Sequence, residues 1–149
     1  HRKVVKLLSD DLQKVATNVH TSRFRYVDVI KKSTGDLLQT SSEIVGELPD
    51  RWQEHLGDLL AALLPAGSIS GAPKEKSLEV IAEAETYQRG FYTGIAGVFD
   101  GNTVASCVLI RFIERIGDKF FYKSGAGITA QSVPLNEYNE IIEKIYIPI

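Results

Sequence analysis

The feature that most constrains the fold is a change from helical to alternating hydrophobic spacing beyond the middle of the chain. Three β-like runs follow one another at residues 91–99, 103–116 and 119–127. The short connections Asp100-Gly101-Asn102 and Gly117-Asp118 separate them, and such connections favour hairpin turns. Because a short turn can join only antiparallel neighbours, these runs predict an antiparallel meander.

The remaining residues alternate between helical and strand-like patterns. Helical spacing of apolar residues occurs at residues 4–15, 52–63 and 75–84, and strand-like runs occur at 23–32 and 37–48. A last helix is predicted from about Val133 to Ile145, with Ser132 as its N-cap. This order predicts an α+β fold with antiparallel sheet layers and helices packed outside. For 149 residues we expect one domain, 1–149.

Charge and composition exclude several kinds of partner. A formal net charge of −2 provides no electrostatic basis for binding nucleic acid or an anionic membrane. No apolar run reaches the roughly 18 residues of a membrane-spanning helix. The single cysteine, Cys107, has apolar flanks, which predicts a buried thiol in a reducing, cytoplasmic compartment.

Residues 65–74, PAGSISGAPK, form a loop of small residues between two helical runs. Small residues let backbone N–H groups approach a ligand, and Pro73 opens a helix whose N-terminus carries partial positive charge. The loop therefore suits an anion such as phosphate or carboxylate, with an ordinary helix entry as the alternative. The polar middle of the strand at 37–48 could likewise line a site or mark a wetted edge strand.

Arg111 is a candidate ligand contact. Within a continuous strand it would share a face with Leu109 and Ile113, which predicts at least partial burial. A buried guanidinium needs an anionic partner, and its fork suits a carboxylate. The alternative is an internal pair with a glutamate such as Glu43 or Glu83.

The last predicted helix carries Glu137, Glu140 and Lys144 beside its apolar stripe. Two carboxylates one turn apart can supply oxygen ligands to Mg²⁺. The alternative is a solvated Glu140–Lys144 pair worth a few tenths of a kcal/mol.

Five short motifs occur in an order that is itself informative: GSISGAPK at 67–74, RGFYTG at 89–94, Ile110-Arg111, GAGI at 125–128 and EYNE at 137–140. Together they closely resemble the C-terminal part of the chorismate-utilising enzymes. That family includes anthranilate synthase component I, aminodeoxychorismate synthase component I, and the isochorismate and salicylate synthases. The resemblance covers the whole chain, because VVKLLSDDL at 4–12 is similar to the family's "IVDLLRNDL" segment.

The resemblance implies a chorismate pocket and assigns residues to it. Tyr92 and Arg111 would hold the enolpyruvyl carboxylate, with the Gly127 amide contributing. Ser68 would line the ring pocket, and Lys144 matches a basic position near the site.

The resemblance also implies a metal and further residues outside the chain. Glu140 would ligate Mg²⁺, and Glu137 would support the metal and its waters. The family's other metal-binding glutamates, and the nucleophilic lysine of a "PIKGT"-like motif, are expected upstream of His1. The chain is therefore expected to be the C-terminal portion of a longer enzyme. Alone it would be inactive, and it would self-associate through exposed apolar surface.

Among the family's activities, the chain is most similar to aminodeoxychorismate synthase component I. That activity aminates chorismate at C4 with ammonia from a glutamine amidotransferase partner, toward 4-aminobenzoate and folate. Anthranilate synthase component I is the first alternative, although Gln39 stands where those enzymes usually have histidine. The second alternative is a non-catalytic chorismate-binding or subunit-docking module.

Overall fold

The computed structural model describes residues 1–31 and 35–145, with the backbone alone for Leu37. Residues 32–34, at the junction of the strand-like runs predicted at 23–32 and 37–48, lie outside the described residues. The chain divides into two compact units, His1–Thr86 and Tyr87–Ile149. The first unit contains α1 (Arg2–Leu12), β1 (Thr17–Ile30), β2 (Leu37–Glu47), a 3₁₀ turn (Trp52–His55), α2 (Leu56–Leu63), α3 (Gly67–Ser70) and α4 (Lys74–Ala84). The second contains β3 (Ile95–Phe99), β4 (Val104–Val108), β5 (Phe112–Ile116), β6 (Lys119–Lys123) and α5 (Pro134–Glu143).

A long antiparallel hairpin is the centre of the first unit. β1 pairs with β2 from Thr17 opposite Glu47 to Ile30 opposite Leu37, with three register shifts along the ladder. Helix α1 contacts both strands and also contacts α3. Because the hairpin is a two-stranded sheet in the described residues, β2 is an edge strand. Its polar middle therefore matches the wetted-edge alternative.

The second unit consists of two hairpins followed by a helix. β3 pairs with β4, and β5 pairs with β6, each as a separate two-stranded antiparallel sheet within the described residues. Antiparallel strands and separate helices confirm the α+β class. The predicted three-stranded meander was wrong in one respect, because residues 103–116 form two strands that are interrupted at 109–111.

The last helix is close to its prediction. α5 begins at Pro134, which occupies the first turn, where proline's missing N–H costs no hydrogen bond. Its N-cap is Val133 rather than Ser132. The Ser132 hydroxyl instead accepts a hydrogen bond from the Thr129 N–H at 3.0 Å, which closes the preceding turn.

Few apolar side chains are buried. Among the described residues, Ala16 and Tyr92 are the apolar residues in the buried class. Many large apolar side chains are open to solvent, including Val98 at 74% exposed and Phe120 at 69%. The expected exposure of apolar surface is thus confirmed.

Cys107 is exposed, so the prediction of a buried thiol was wrong. It lies on β4, whose sheet consists of one hairpin within the described part of the chain. Apolar neighbours along a strand predict burial only where another layer covers that face.

None of the helices in the described ranges combines the length and apolarity that crossing a bilayer would require.

Candidate functional site

The RGFYTG motif meets Leu109, two residues before Arg111, at one end of the β3–β4 hairpin. Beyond the pair Ile95–Val108, the Thr93 N–H donates to the Leu109 carbonyl at 2.8 Å, and the Leu109 N–H donates to the Gly94 carbonyl at 2.9 Å. This end lies opposite the turn between β3 and β4. The structure therefore holds the backbone of RGFYTG beside the residue that precedes the Ile110-Arg111 motif.

Arg111 itself differs from its prediction. It follows the end of β4, is exposed, and has a φ of 54°, in the left-handed region. The predicted partial burial was wrong because strand alternation does not extend past Val108. Thr93, across the hairpin end, has a φ of 67°, which is unusual for a β-branched residue. Strained residues of this kind cluster at ligand-binding sites.

Tyr92 is the buried side chain at this hairpin end, with 9% of its surface exposed. The Arg89 guanidinium carbon lies 5.6 Å from the centre of its ring, within the range of a cation–π contact. Arg89 also donates from Nη1 to the Thr93 hydroxyl at 3.1 Å. Sequence reasoning missed this bracing role, although Arg89 is the first residue of the RGFYTG motif.

Gly125 provides the space that the Tyr92 hydroxyl occupies. A Cβ added at Gly125 would overlap the Tyr92 Oη atom, so only glycine fits without a shift. By contrast, Gly127, the residue singled out from the sequence, is exposed and has open space where a Cβ would lie. The GAGI motif was the available signal, but it did not show which glycine meets the tyrosine.

Lys144 lies on the other side of Gly125. Its Nζ is 3.5 Å from the Gly125 carbonyl oxygen, at the outer limit of a hydrogen bond, and 2.5 Å from Glu140 Oε1. The Tyr122 hydroxyl donates to the Lys144 carbonyl at 3.1 Å and ties β6 to the end of α5. Tyr92, Gly125 and Lys144 thus form one cluster, called the tyrosine–lysine cluster below.

The two candidate metal ligands occupy neighbouring turns of α5. Glu137 is half-buried and Glu140 is exposed. The Glu140–Lys144 pair that was considered as the alternative is present in the structure. Across residues 1–31 and 35–145, no group of three or more His, Cys, Asp and Glu side chains is placed to hold a metal ion.

Ser68 belongs to the first unit. It is exposed on α3, a single helical turn whose buried residues are Gly67 and Ser70. Asp11 of α1 lies beneath this turn with 8% of its surface exposed, and its Oδ2 accepts a hydrogen bond from the Gly67 N–H at 2.8 Å. Sequence reasoning did not single out Asp11, because 56 residues separate it from Gly67.

The Asp11 carboxylate is held in its charged form. Burial raises its pKa, but the hydrogen bonds from Lys14 and the Gly67 N–H, with the charges of Lys14 and Lys74, outweigh burial. The resulting pKa lies below the ordinary value of 3.8.

Acid is expected to remove the stabilisation that Asp11 provides. Because its pKa is lowered in the fold, Asp11 stabilises the protein above pH 3.8, and the contribution is lost as the pH falls through the folded pKa. Urea midpoints of the full-length protein and its Asp11→Asn variant would be compared between about pH 6 and about pH 2. The gap between them should be constant down to about pH 5 and then close. A gap that stayed unchanged to the lowest pH would contradict this role.

Comparison with known proteins identifies the family. The sequence pattern of the chorismate binding enzymes matches residues 1–149. An uncharacterized PabA-like protein of Haemophilus influenzae is 53% identical over 149 residues, covering all of this chain and 45% of that protein. Anthranilate synthase component 1 of Archaeoglobus fulgidus is 40% identical over 147 residues, covering 97% of this chain and 34% of that enzyme. Aminodeoxychorismate synthase component 1 of Bacillus subtilis is 34% identical over 149 residues, covering 98% of this chain and 30% of that enzyme.

This chain therefore spans less than half the length of each of these relatives. The pattern match extends over every residue. The motifs that carry the resemblance lie on α1, at α3, at the hairpin end, in the tyrosine–lysine cluster and on α5. The chain belongs to the chorismate-binding enzyme family.

Proposed function

We propose that the chain forms the chorismate-binding part of an enzyme similar to aminodeoxychorismate synthase component I. The reaction would replace the C4 hydroxyl of chorismate with an amine, using ammonia from a glutamine amidotransferase partner. The observation that carries the proposal is the hairpin end, where a buried tyrosine and an exposed arginine lie on adjacent backbone segments. Such a pair suits one carboxylate of a small dicarboxylic substrate.

The positive φ values support this assignment. A left-handed non-glycine residue costs roughly 1 kcal/mol or more, so a fold keeps it only where surrounding contacts enforce it. Here the hydrogen bonds between 93–94 and 109 hold Thr93 in place, and the chain leaves the ladder at Arg111. This geometry presents the guanidinium outside the sheet, where a bound carboxylate can reach both of its N–H edges.

Lys144 adds a second positive group, beside Gly125. It is half-buried. Its Nζ pairs with Glu140 and also lies near the Gly125 carbonyl oxygen. A cation in this position favours the binding of a dicarboxylate over the binding of an uncharged ring compound. We therefore assign Tyr92, Arg111, Lys144 and the Gly127 amide to substrate binding, and Ser68 to the ring pocket.

The carboxylates of α5 fit Mg²⁺ in kind and number. Mg²⁺ in enzyme sites takes one or two carboxylates and completes its shell with water and substrate oxygens. Glu140 would hold it directly and Glu137 through water. When bound, the ion would neutralise the ring carboxylate and stabilise charge as the C4 hydroxyl departs. The Glu140–Lys144 pair is partly exposed and worth only about 0.5 kcal/mol, so a divalent cation can replace it.

Replacing Glu140 with glutamine should weaken Mg²⁺ binding. Removing one charged oxygen ligand is expected to raise the Mg²⁺ dissociation constant of the full-length protein at least tenfold, about 1.4 kcal/mol. Isothermal titration with Mg²⁺ would measure this without depending on activity. Glu143→Gln, an exposed position on the same helix, is the matched control. Identical titrations for Glu140→Gln and the parent would exclude Glu140 as a ligand.

Anthranilate synthase component I is the second candidate function. In its favour, the Archaeoglobus fulgidus enzyme of that name is 40% identical to this chain, against 34% for the Bacillus subtilis aminodeoxychorismate synthase. Against it stands Gln39, in place of the usual histidine. Gln39 is exposed on β2 opposite Asp28.

Product analysis decides between these functions. The full-length protein would be incubated with chorismate, Mg²⁺ and ammonium, and the product would be identified by mass spectrometry. Aminodeoxychorismate retains the enolpyruvyl ether, whereas anthranilate has lost it. Only the first result supports the proposal. Binding of chorismate without any product would instead support a non-catalytic binding module.

A further inference from the structure

We infer that Asp11 is a positioning residue that holds the α3 turn and thereby sets the affinity for the substrate. The inference rests on the proposed function, in which Ser68 of that turn lines the chorismate pocket. It adds a residue of α1 to the determinants of substrate binding, although Asp11 does not itself contact the substrate.

Asp11 and Gly67 fit closely against each other. The Gly67 N–H donates to Asp11 Oδ2 at 2.8 Å in a buried setting. A Cβ at Gly67 would lie 2.7 Å from the same oxygen, closer than such atoms approach in proteins. The carboxylate therefore occupies the space that a side chain at 67 would need.

Positive charges surround the Asp11 carboxylate. Lys14 Nζ lies 2.5 Å from Asp11 Oδ1, the oxygen that Gly67 does not use. Lys74, at the start of α4, adds its positive charge and donates to the Leu64 carbonyl at 3.4 Å. A buried carboxylate with both oxygens engaged is a rigid anchor, because leaving its partners unsatisfied is costly.

Two of the four residues of the α3 turn are buried. Gly67 and Ser70 are buried, and the Ser70 hydroxyl donates to the Ala66 carbonyl at 3.2 Å. Ser68, between them, is exposed. The turn is thus held by α1, while Ser68 remains exposed. This arrangement can orient a residue that contacts the substrate without burying it. Small displacements of such residues reduce binding steeply.

The test compares variants of the full-length protein by two independent readouts. Hydrogen exchange of the peptide spanning residues 66–72 reports the order of the turn, and steady-state kinetics report KM and kcat for chorismate. Asp11→Ala should increase exchange in this peptide and raise KM about tenfold, with a smaller change in kcat. Asp11→Asn keeps one oxygen acceptor for the Gly67 N–H but loses the pairing with Lys14, so it should recover only part of the affinity.

Gly67→Ala provides the reciprocal change. Its new Cβ should push the carboxylate aside and reproduce the Asp11→Ala phenotype. Adding Gly67→Ala to Asp11→Ala should cost little more, because Leu7 Cβ, at 3.5 Å, is then the nearest remaining atom. Asp10→Ala and Gly57→Ala are the controls. Asp10 pairs with Lys6 on the surface, and Gly57 has open space around its Cβ position.

Two results would overturn the inference. One is a KM for Asp11→Ala equal to that of the parent, and the other is full additivity of Asp11→Ala and Gly67→Ala. Failure of the proposed function has a different signature, since the parent protein itself would then show no chorismate binding. In that case the claim that Asp11 sets substrate affinity would also be withdrawn. Increased hydrogen exchange in Asp11→Ala would still identify Asp11 as the anchor of the turn.

Discussion

Replacing Arg111 with alanine in the full-length protein is expected to raise KM for chorismate about 30-fold, equivalent to at least ~2 kcal/mol of lost binding. The variant would leave a substrate carboxylate without its charged, forked partner. Alanine retains a Cβ, so the left-handed backbone at this position, with its φ of 54°, keeps the same strain in both proteins. The change therefore reports on the guanidinium and not on the loop.

Arg115→Ala is the matched control for this experiment. Arg115 is also exposed and lies on β5, where its Nε donates to the Gly117 carbonyl at 2.8 Å in the turn to β6. Its loss should leave the KM within about twofold of the parent. If Arg111→Ala shifted the KM no more than Arg115→Ala does, the carboxylate assignment would be withdrawn.

Gly125→Ala is expected to destabilise the second unit. The new Cβ would overlap the Tyr92 hydroxyl, and a buried aromatic ring cannot move aside cheaply. Overpacking of this kind costs about 1–3 kcal/mol, which corresponds to a fall in Tm of several degrees. Because Tyr92 belongs to the tyrosine–lysine cluster, which we assign to substrate binding, the KM for chorismate should also rise in this variant. Differential scanning calorimetry and steady-state kinetics of the full-length protein would measure both effects.

A second substitution tests whether the overlap is the cause. Tyr92→Phe removes the overlapping oxygen, after which the nearest atom is the ring carbon Cζ at 3.5 Å, an ordinary contact. The double variant Gly125→Ala/Tyr92→Phe should therefore recover most of the Tm lost in Gly125→Ala. Gly127→Ala, with open space at its Cβ position, should leave the Tm unchanged. If Gly127→Ala destabilised the protein as much as Gly125→Ala, the packing argument would fail.

Much of the secondary structure was predictable because its signals are local. Helix α4 follows Pro73 as expected, and the hairpin turns occur at the predicted glycines, Gly101 and Gly117, both with positive φ. Apolar spacing and turn chemistry act within a few residues, so they can be read from the chain directly. The boundaries were less certain, as the shift of the α5 cap from Ser132 to Val133 shows.

The break in the strand at residues 103–116 could not be predicted. CVLIRFI reads as an unbroken β pattern, yet the chain leaves the ladder after Leu109 and starts a new hairpin at Phe112. No glycine or proline marks this break, and an arginine adopts the left-handed conformation instead. Arg111 was therefore predicted on a half-buried strand face. In the structure it is exposed, where a ligand can reach it.

The helices and hairpins, the α+β class and the family could be predicted from the sequence, because each depends on local spacing or on short motifs in order. Which residues of those motifs touch depends on tertiary packing. It selected Gly125 rather than Gly127 as the partner of Tyr92, and it placed Asp11 under Gly67 across 56 residues of chain. Such contacts depend on how distant elements pack, and periodicity carries no information about a neighbour that is brought close only by folding.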